Sequence, residues 1–167
     1  CRSVNGVVGE TNDGGINDIR ARFLTSKDVL KAIQSAKSGP VEEGVVGAGS
    51  GTKAFGWKGG IGTSSRKLPA SMGGYTVGVL VQTNFGGFMG LAKAGGIASN
   101  GSGDFAIAFS TAKENRVPHN TKKLEKLNNV NVNNDDMTPI FMATIEATEE
   151  AIINSLFKAH DVTGYNG

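Results

Sequence analysis

The chain has 167 residues, 38% hydrophobic, 7% aromatic and 19% charged, enough for one domain with a real core. Seventeen Lys and Arg against fifteen Asp and Glu leave a net charge of +2, which argues against electrostatically driven nucleic-acid or membrane binding. One cysteine excludes an internal disulfide framework and a cysteine-rich zinc site. Apolar runs fall short of the roughly 20 residues of a membrane span and the first residues carry no signal-peptide core, so a cytoplasmic protein is expected. Glycine stands out: 25 residues, about twice the usual ~7% share, without a collagen period. It is dense from Gly39 to Gly103 and sparse beyond, which divides a strand-like half from a more helical one.

In chain order, Ser26 to Ala36 predicts a helix, with Val29, Leu30, Ile33 and Ala36 on one face. Thr25 or Ser26 caps it, Asp28 suits its first turn, and Gly39-Pro40 ends it. Val41 to Gly51 is expected to be a strand entering a glycine-rich bend. Tyr75 to Thr83 (YTVGVLVQT) has the pattern of a strand buried on both faces. Phe88 to Ala94 ends as a helix before Gly95-Gly96, and Phe105 to Thr111 (FAIAFST) forms a second buried strand. Asn115 to Asp136 is a polar surface loop with one helical turn at KKLEKL. Met137 to Ile145 supplies a third strand, interrupted by Pro139. Ala147 to Ala159 is a helix capped at Thr148, with Glu149 and Glu150 in its first turn. Strands mixed with amphipathic helices indicate a layered α and β protein.

Few short motifs carry chemistry alone. VGAGSG (Val46 to Gly51) evokes a phosphate loop, but Lys53 is followed by Ala54 rather than Ser or Thr, and no helical pattern follows. Tight backbone packing accounts for it better. Cys1 offers an N-terminal thiol whose own amine is a base; a first cysteine is otherwise only the residue at which this sequence starts. His119 and His160 have no partners at metal-ligand spacing, so solvent-facing roles are expected. NGSGD (Asn100 to Asp104) sets Ser102 and Asp104 two residues apart, either as a turn or as a hydroxyl and a carboxylate at a strand mouth. ETND (Glu10 to Asp13) and Asn84, after the Tyr75 strand, are equally open. A strand-end amide can donate to an oxyanion or simply form a turn.

Six segments reweight these readings: VVGETNDGGINDI, GPVEEGVVGAGSGT, WKGGIGTSSR, YTVGVLVQTNFGG, NGSGDFAIAFSTA and IEATEEAIINSLF. In this order they resemble the L-aminopeptidase/D-Ala-esterase/amidase (DmpA-type) family, which includes the β-peptidyl aminopeptidases, over nearly the whole chain. The resemblance implies an α+β fold, a four-layer α-β-β-α sandwich of the DmpA/ornithine-acetyltransferase type. It also implies a self-processing hydrolase that cuts its precursor before a serine and uses that serine to attack an amide or ester. No cofactor or metal is implied. The implied partners are a peptide, amide or ester substrate with a free amino terminus, and further copies of the chain in a homo-oligomer; neither nucleic acid nor membrane is implied.

Carried onto this chain, Asn84 resembles the oxyanion-hole asparagine, Ser102 the serine that hydrogen-bonds the nucleophile, and Asp104 the acid behind it. Glu10 resembles the carboxylate that receives the substrate ammonium. Family members carry a tyrosine two residues later; here it is Asn12, a shorter donor. Between Gly87 and Phe88 the family has several tens more residues, including the nucleophile. A family N-terminal part before Cys1 and a tail beyond Gly167 are also expected. The chain is therefore expected to be one incomplete domain, 1–167, of an aminopeptidase; an inactive homologue with a structural or binding role is the alternative.

Overall fold

A computed structural model describes residues 6–85, 105–117 and 130–167. Its organising unit is a two-stranded antiparallel sheet with one long helix laid across it. Strand β3 (Ile61–Lys67) pairs with β4 (Thr76–Gln82) in a register running from Ile61 opposite Gln82 to Lys67 opposite Thr76. Pro69, a short 3-10 turn at Ala70–Met72 and left-handed Gly73 and Gly74 reverse the chain between them.

Ahead of this sheet lies a two-residue hairpin, β1 (Lys53–Ala54) and β2 (Trp57–Lys58). Its central residues, Phe55 (φ 55°) and Gly56 (φ 79°), are both left-handed, as the mirror-image hairpin turn requires. For Phe55 that backbone is costly. Its ring packs edge-on against Phe85, with centroids 4.7 Å apart and planes at 85°.

Helix α2 (Thr138–Phe157) crosses β3 and β4. Ala143, Ala147 and Ala151 recur every fourth residue and are buried, so small side chains bring the helix close to the sheet. Gly62 on β3 completes the fit: a Cβ there would run into the carbonyl oxygen of Ala151. Polar links flank the seam. Arg66 donates to Glu146 at 3.3 Å and to Glu150 at 2.5 Å, the Ser64 hydroxyl donates to Glu150 at 2.7 Å, and the Asn154 amide donates to the Thr63 carbonyl at 2.9 Å.

Helix α1 (Ser26–Ser35) follows the predicted segment. Asp28 accepts from both the Thr25 backbone and hydroxyl at 2.8 Å, and these bonds hold its carboxyl below the usual aspartate value. The helix ends at Ser35, because Ala36 has turned extended before Gly39 is reached. Its apolar stripe is largely uncovered among the described residues; Ile33 is 67% exposed.

Several expectations need correction. The predicted Val41–Gly51 strand is a single bridge, Gly44 to Ile61, followed by a 3-10 turn over Gly47–Gly51; left-handed Gly44 and Gly47 break any extended run. The Tyr75–Thr83 segment forms a strand over Thr76–Gln82, but among the described residues it is covered on one face only. Val77, Val79 and Val81 turn to α2, while Leu80 on the other face is 58% exposed. Phe105–Thr111 is not a strand: it has no ladder partner among the described residues, and Phe109 is 82% exposed. Met137–Ile145 is not a strand but the start of α2. Pro139 sits in the first helical turn, where a missing N–H is harmless. Thr148 consequently lies inside α2, its hydroxyl bonded to the Thr144 carbonyl at 2.7 Å, and caps nothing. Asn115 brackets the predicted surface loop, exchanging bonds with Val130 at 2.9 and 3.1 Å. The Phe88–Ala94 helix and the KKLEKL turn lie outside the described residues.

Candidate active site

The end of β4 is where the ETND segment meets the sheet. Along an extended chain, alternate residues face opposite ways, so Val77, Val79, Val81 and Thr83 look toward α2. Gln82 and Asn84 then share the opposite face. The Gln82 amide donates to the Thr11 hydroxyl at 3.2 Å. Thr11 stands between Glu10 and Asn12, so this bond draws the ETND segment alongside the last residues of β4.

Asn84 is half-buried and bracketed by pinned neighbours. Thr83 N–H donates to the Gly60 carbonyl and Phe85 N–H to the Lys53 carbonyl, both at 3.0 Å. The Asn84 side-chain amide makes no hydrogen bond within the described residues.

The ETND segment is held from below. The Asn17 amide donates to Asp13 at 2.6 Å, and the Asp13 carbonyl accepts from the backbone of Ile16 and Asn17, both at 2.9 Å. Gly51 forms the floor, where any Cβ would strike Asn17 and Asp13. The packing role expected for the VGAGSG stretch is thus visible at its last glycine. Asn12 turns its carbonyl oxygen back to the Gly14 N–H at 3.0 Å, an Asx turn that leaves its NH2 directed elsewhere. Glu10 is exposed, with its carboxylate open to solvent.

Gly9 lies in van der Waals range of Phe105, 3.8 Å from a Cβ built on the glycine to the Phe105 Cβ. The chain that follows NGSGD therefore touches the chain that precedes ETND. Ser102 and Asp104 themselves lie outside the described residues, as do Cys1 and His119. His160 is exposed, as expected. No group of three His, Cys, Asp or Glu poised for a metal occurs among the described residues.

A separate cleft of about 330 Å³ opens beside the β1–β2 hairpin, lined in part by Gly15, Lys53, Trp57, Lys58, Asp161 and Tyr165. Lys58 faces inward, donating to the carbonyls of Gly49 (2.6 Å), Gly59 (2.7 Å) and Thr52 (3.1 Å). Those contacts use all three ammonium protons, and burial lowers its pKa below the usual lysine value. It ties the glycine-rich turn to the hairpin rather than offering a charge to a ligand.

Sequence reasoning missed Thr83, Ser155, Gln82 and Thr11. A signal exists for the first two. Thr83 extends the Val77, Val79, Val81 series and Ser155 extends the Ala143, Ala147, Ala151 series, each placing a hydroxyl where the pattern calls for an apolar group.

The sequence pattern of peptidase family S58 matches residues 1–89 and 87–167. The chain is 35% identical to the β-peptidyl aminopeptidase BapA of Sphingosinicella microcystinivorans over 228 residues, covering 96% of this chain and 56% of that protein. The chain thus spans little more than half of that relative, and the alignment is longer than the chain's own 167 residues. Among solved structures it resembles the PH0078 protein from Pyrococcus horikoshii OT3, with 38% identity and a TM-score of 0.83 over 97% of this chain and 57% of that one. It also resembles the L-aminopeptidase D-Ala-esterase/amidase of Ochrobactrum anthropi, with 30% identity and a TM-score of 0.77 over 90% and 54% of the two chains. That enzyme is described as a prototype of the serine aminopeptidases and a variant of the Ntn hydrolase fold.

Proposed function

This chain belongs to peptidase family S58, and from that premise we propose that it is part of a serine aminopeptidase releasing N-terminal residues from short peptides, amides or esters. One observation carries the reading furthest: the Gln82–Thr11 bond seats the Glu10 segment beside Asn84, although 71 positions separate the bonded residues. An ammonium-binding carboxylate and an oxyanion donor must serve one substrate, and this contact supports that reading of Glu10 and Asn84.

In this reading the nucleophile is a serine outside the present sequence, freed as a new N-terminus by self-cleavage. Two facts support a segment between Gly87 and Phe88. The family pattern matches in two pieces that meet there, and the BapA alignment extends over more residues than the chain has. Glu10 receives the substrate ammonium, which restricts the enzyme to free amino termini. The serine hydroxyl attacks the scissile carbonyl, and its proton passes to the serine's own α-amine or a neighbouring hydroxyl. The carbonyl oxygen gains negative charge, and an Asn84 N–H donates to it. Collapse of the tetrahedral species expels the amine or alcohol, which takes up the proton and leaves an acyl-enzyme. Water then attacks that ester by the same route. Ser102 hydrogen-bonds the nucleophile, Asp104 orients Ser102, and Asn12 contributes its NH2 at the rim.

A four-layer α-β-β-α sandwich, with 1–167 as one incomplete domain, belongs to the same proposal; the mixed helix and sheet and the Ntn-type neighbour support it. So do homo-oligomerisation and a cytoplasmic location, the latter supported by the single cysteine. No helix among the described residues is long and apolar enough to cross a membrane. The aminopeptidase relatives favour activity over an inactive homologue.

The deciding experiment is Asn84→Ala in the full-length protein. Loss of an oxyanion donor lowers kcat by roughly 10² or more with the fold intact. Unchanged kcat would remove Asn84 from the mechanism.

A further inference from the structure

Behind Asn84, on the face of β4 turned toward α2, runs a series of hydrogen bonds that the mechanism above does not use. The Gly60 N–H donates to Thr83 Oγ1 at 3.0 Å. Thr83 Oγ1 and Ser155 Oγ lie 3.0 Å apart, and the Ser155 hydroxyl reaches the Ile152 carbonyl at 2.7 Å. A hydroxyl has one proton to give. With Ser155 committed to Ile152, Thr83 is the donor between the two hydroxyls; its longer alternative is the Gly60 carbonyl at 3.2 Å. The run therefore has a direction, from Gly60 beside β3, through the residue after β4, into α2.

Both hydroxyls are sealed from water: Thr83 is 1% exposed and Ser155 is fully buried. Packing alone does not call for them. A valine at 83 would continue the Val77, Val79, Val81 stripe, and an alanine at 155 would continue Ala143, Ala147, Ala151. Buried polar groups are costly unless each finds a partner, and a satisfied pair fixes orientation in a way that an apolar pair does not. The residue so fixed is the immediate neighbour of Asn84. An oxyanion donor works only if it is already aimed before charge develops.

The geometry points to Thr83 and Ser155 as positioning residues for Asn84: α2 orients the amide-bearing end of β4 through this hydroxyl pair. The inference rests on the oxyanion reading of Asn84 given above. It adds a control over that residue exerted through Thr83 from a helix residue, Ser155, 72 positions beyond Thr83 in sequence.

The test uses the full-length protein and an N-terminal aminoacyl anilide, reading kcat, KM and the thermal midpoint. Thr83→Val and Ser155→Ala are made singly and together with Asn84→Ala, and Thr83→Ser restores the hydroxyl. Each single loss is expected to lower kcat roughly tenfold with KM nearly unchanged, since misplacing a catalytic group costs turnover before binding. Thr83→Ser should recover most of that activity. In the Asn84→Ala background neither loss should lower kcat further, because the group being positioned is gone.

Losses that multiply with Asn84→Ala, or that fall on KM and the thermal midpoint alone, would overturn the positioning role. So would unchanged kcat in Thr83→Val while Asn84→Ala remains damaging, and in that case the oxyanion reading survives. A neutral Asn84→Ala overturns both. If Ser155→Ala does not accumulate as folded protein, the near-isosteric Thr83→Val and the hydroxyl-retaining Thr83→Ser decide the question.

Discussion

Gly62 is conspicuous in the sequence only as one glycine among many, yet its environment makes it specific. It faces α2, and the carbonyl of Ala151 occupies the space a methyl group would need. Backbone atoms of a helix cannot rotate away as a side chain can. Gly62→Ala should therefore push α2 off the sheet and destabilise the protein by about 1–3 kcal/mol, the usual cost of overpacking. Urea titration of the full-length protein checks this, and an unchanged midpoint would place the helix farther from β3 than described. At this scale the glycine excess was legible but its purpose was not, because a close approach belongs to two segments. Glu10, Asn12 and Asn84 were singled out by motif resemblance alone. The bonds now surrounding Asn12 and Asn84 are made by ordinary residues, Thr11, Gln82 and Thr83, that no short motif singles out.

Element by element, local pattern succeeded where a segment's neighbours agree with its own preference. The α1 spacing and capping residues are contained within eleven positions, and the helix forms where they predict. The apolar run of β4 is likewise self-sufficient as a strand. The start of α2 misled because Met137 to Ile145 is apolar enough for either state, and proline weighs against a strand as strongly as it favours a first helical turn. Strand β3 went unassigned because Thr, Ser, Arg and Lys dominate it; its inward residues are glycine and side chains that bond to α2 rather than a hydrophobic stripe.

That polar seam has a pH signature. The Ser64 hydroxyl, first, and the Arg66 guanidinium beside it hold the Glu150 carboxyl below its ordinary value of 4.5. A carboxyl that titrates lower when folded binds fewer protons in the native state, so its contribution is present above the unfolded value and is lost as pH falls through the folded one. Unfolding midpoints of wild type and Glu150→Gln should differ at neutral pH and converge well below pH 4.5. The gap is small, since the pair is solvent-exposed and screened by salt. A gap that persists in acid would assign the effect to packing instead.

At the scale of the whole molecule, α1, the outer face of β4 and the Phe105 segment all present large apolar side chains without cover among the described residues. The chain spans little more than half of its relatives, and the function proposed above would place it within a longer, self-cleaving protein. The intact denatured mass should accordingly exceed 17.3 kDa, as two fragments summing to the precursor; a single species at 17.3 kDa would overturn that expectation. The sequence by itself determined the family, the α1 helix, the β4 strand and the later part of α2, from Ala147 to Phe157, two residues short of the expected end at Ala159. Periodicity and ordered motifs are properties of neighbouring residues, and they survive without knowledge of the chain path. Only the tertiary structure decided that Thr11 meets Gln82, that Gly9 meets Phe105, and that Thr83 shares a buried hydrogen bond with Ser155. Such contacts depend on how distant segments close on one another. No local preference encodes that closure, because the free energy favouring it is realised only when both partners leave water together.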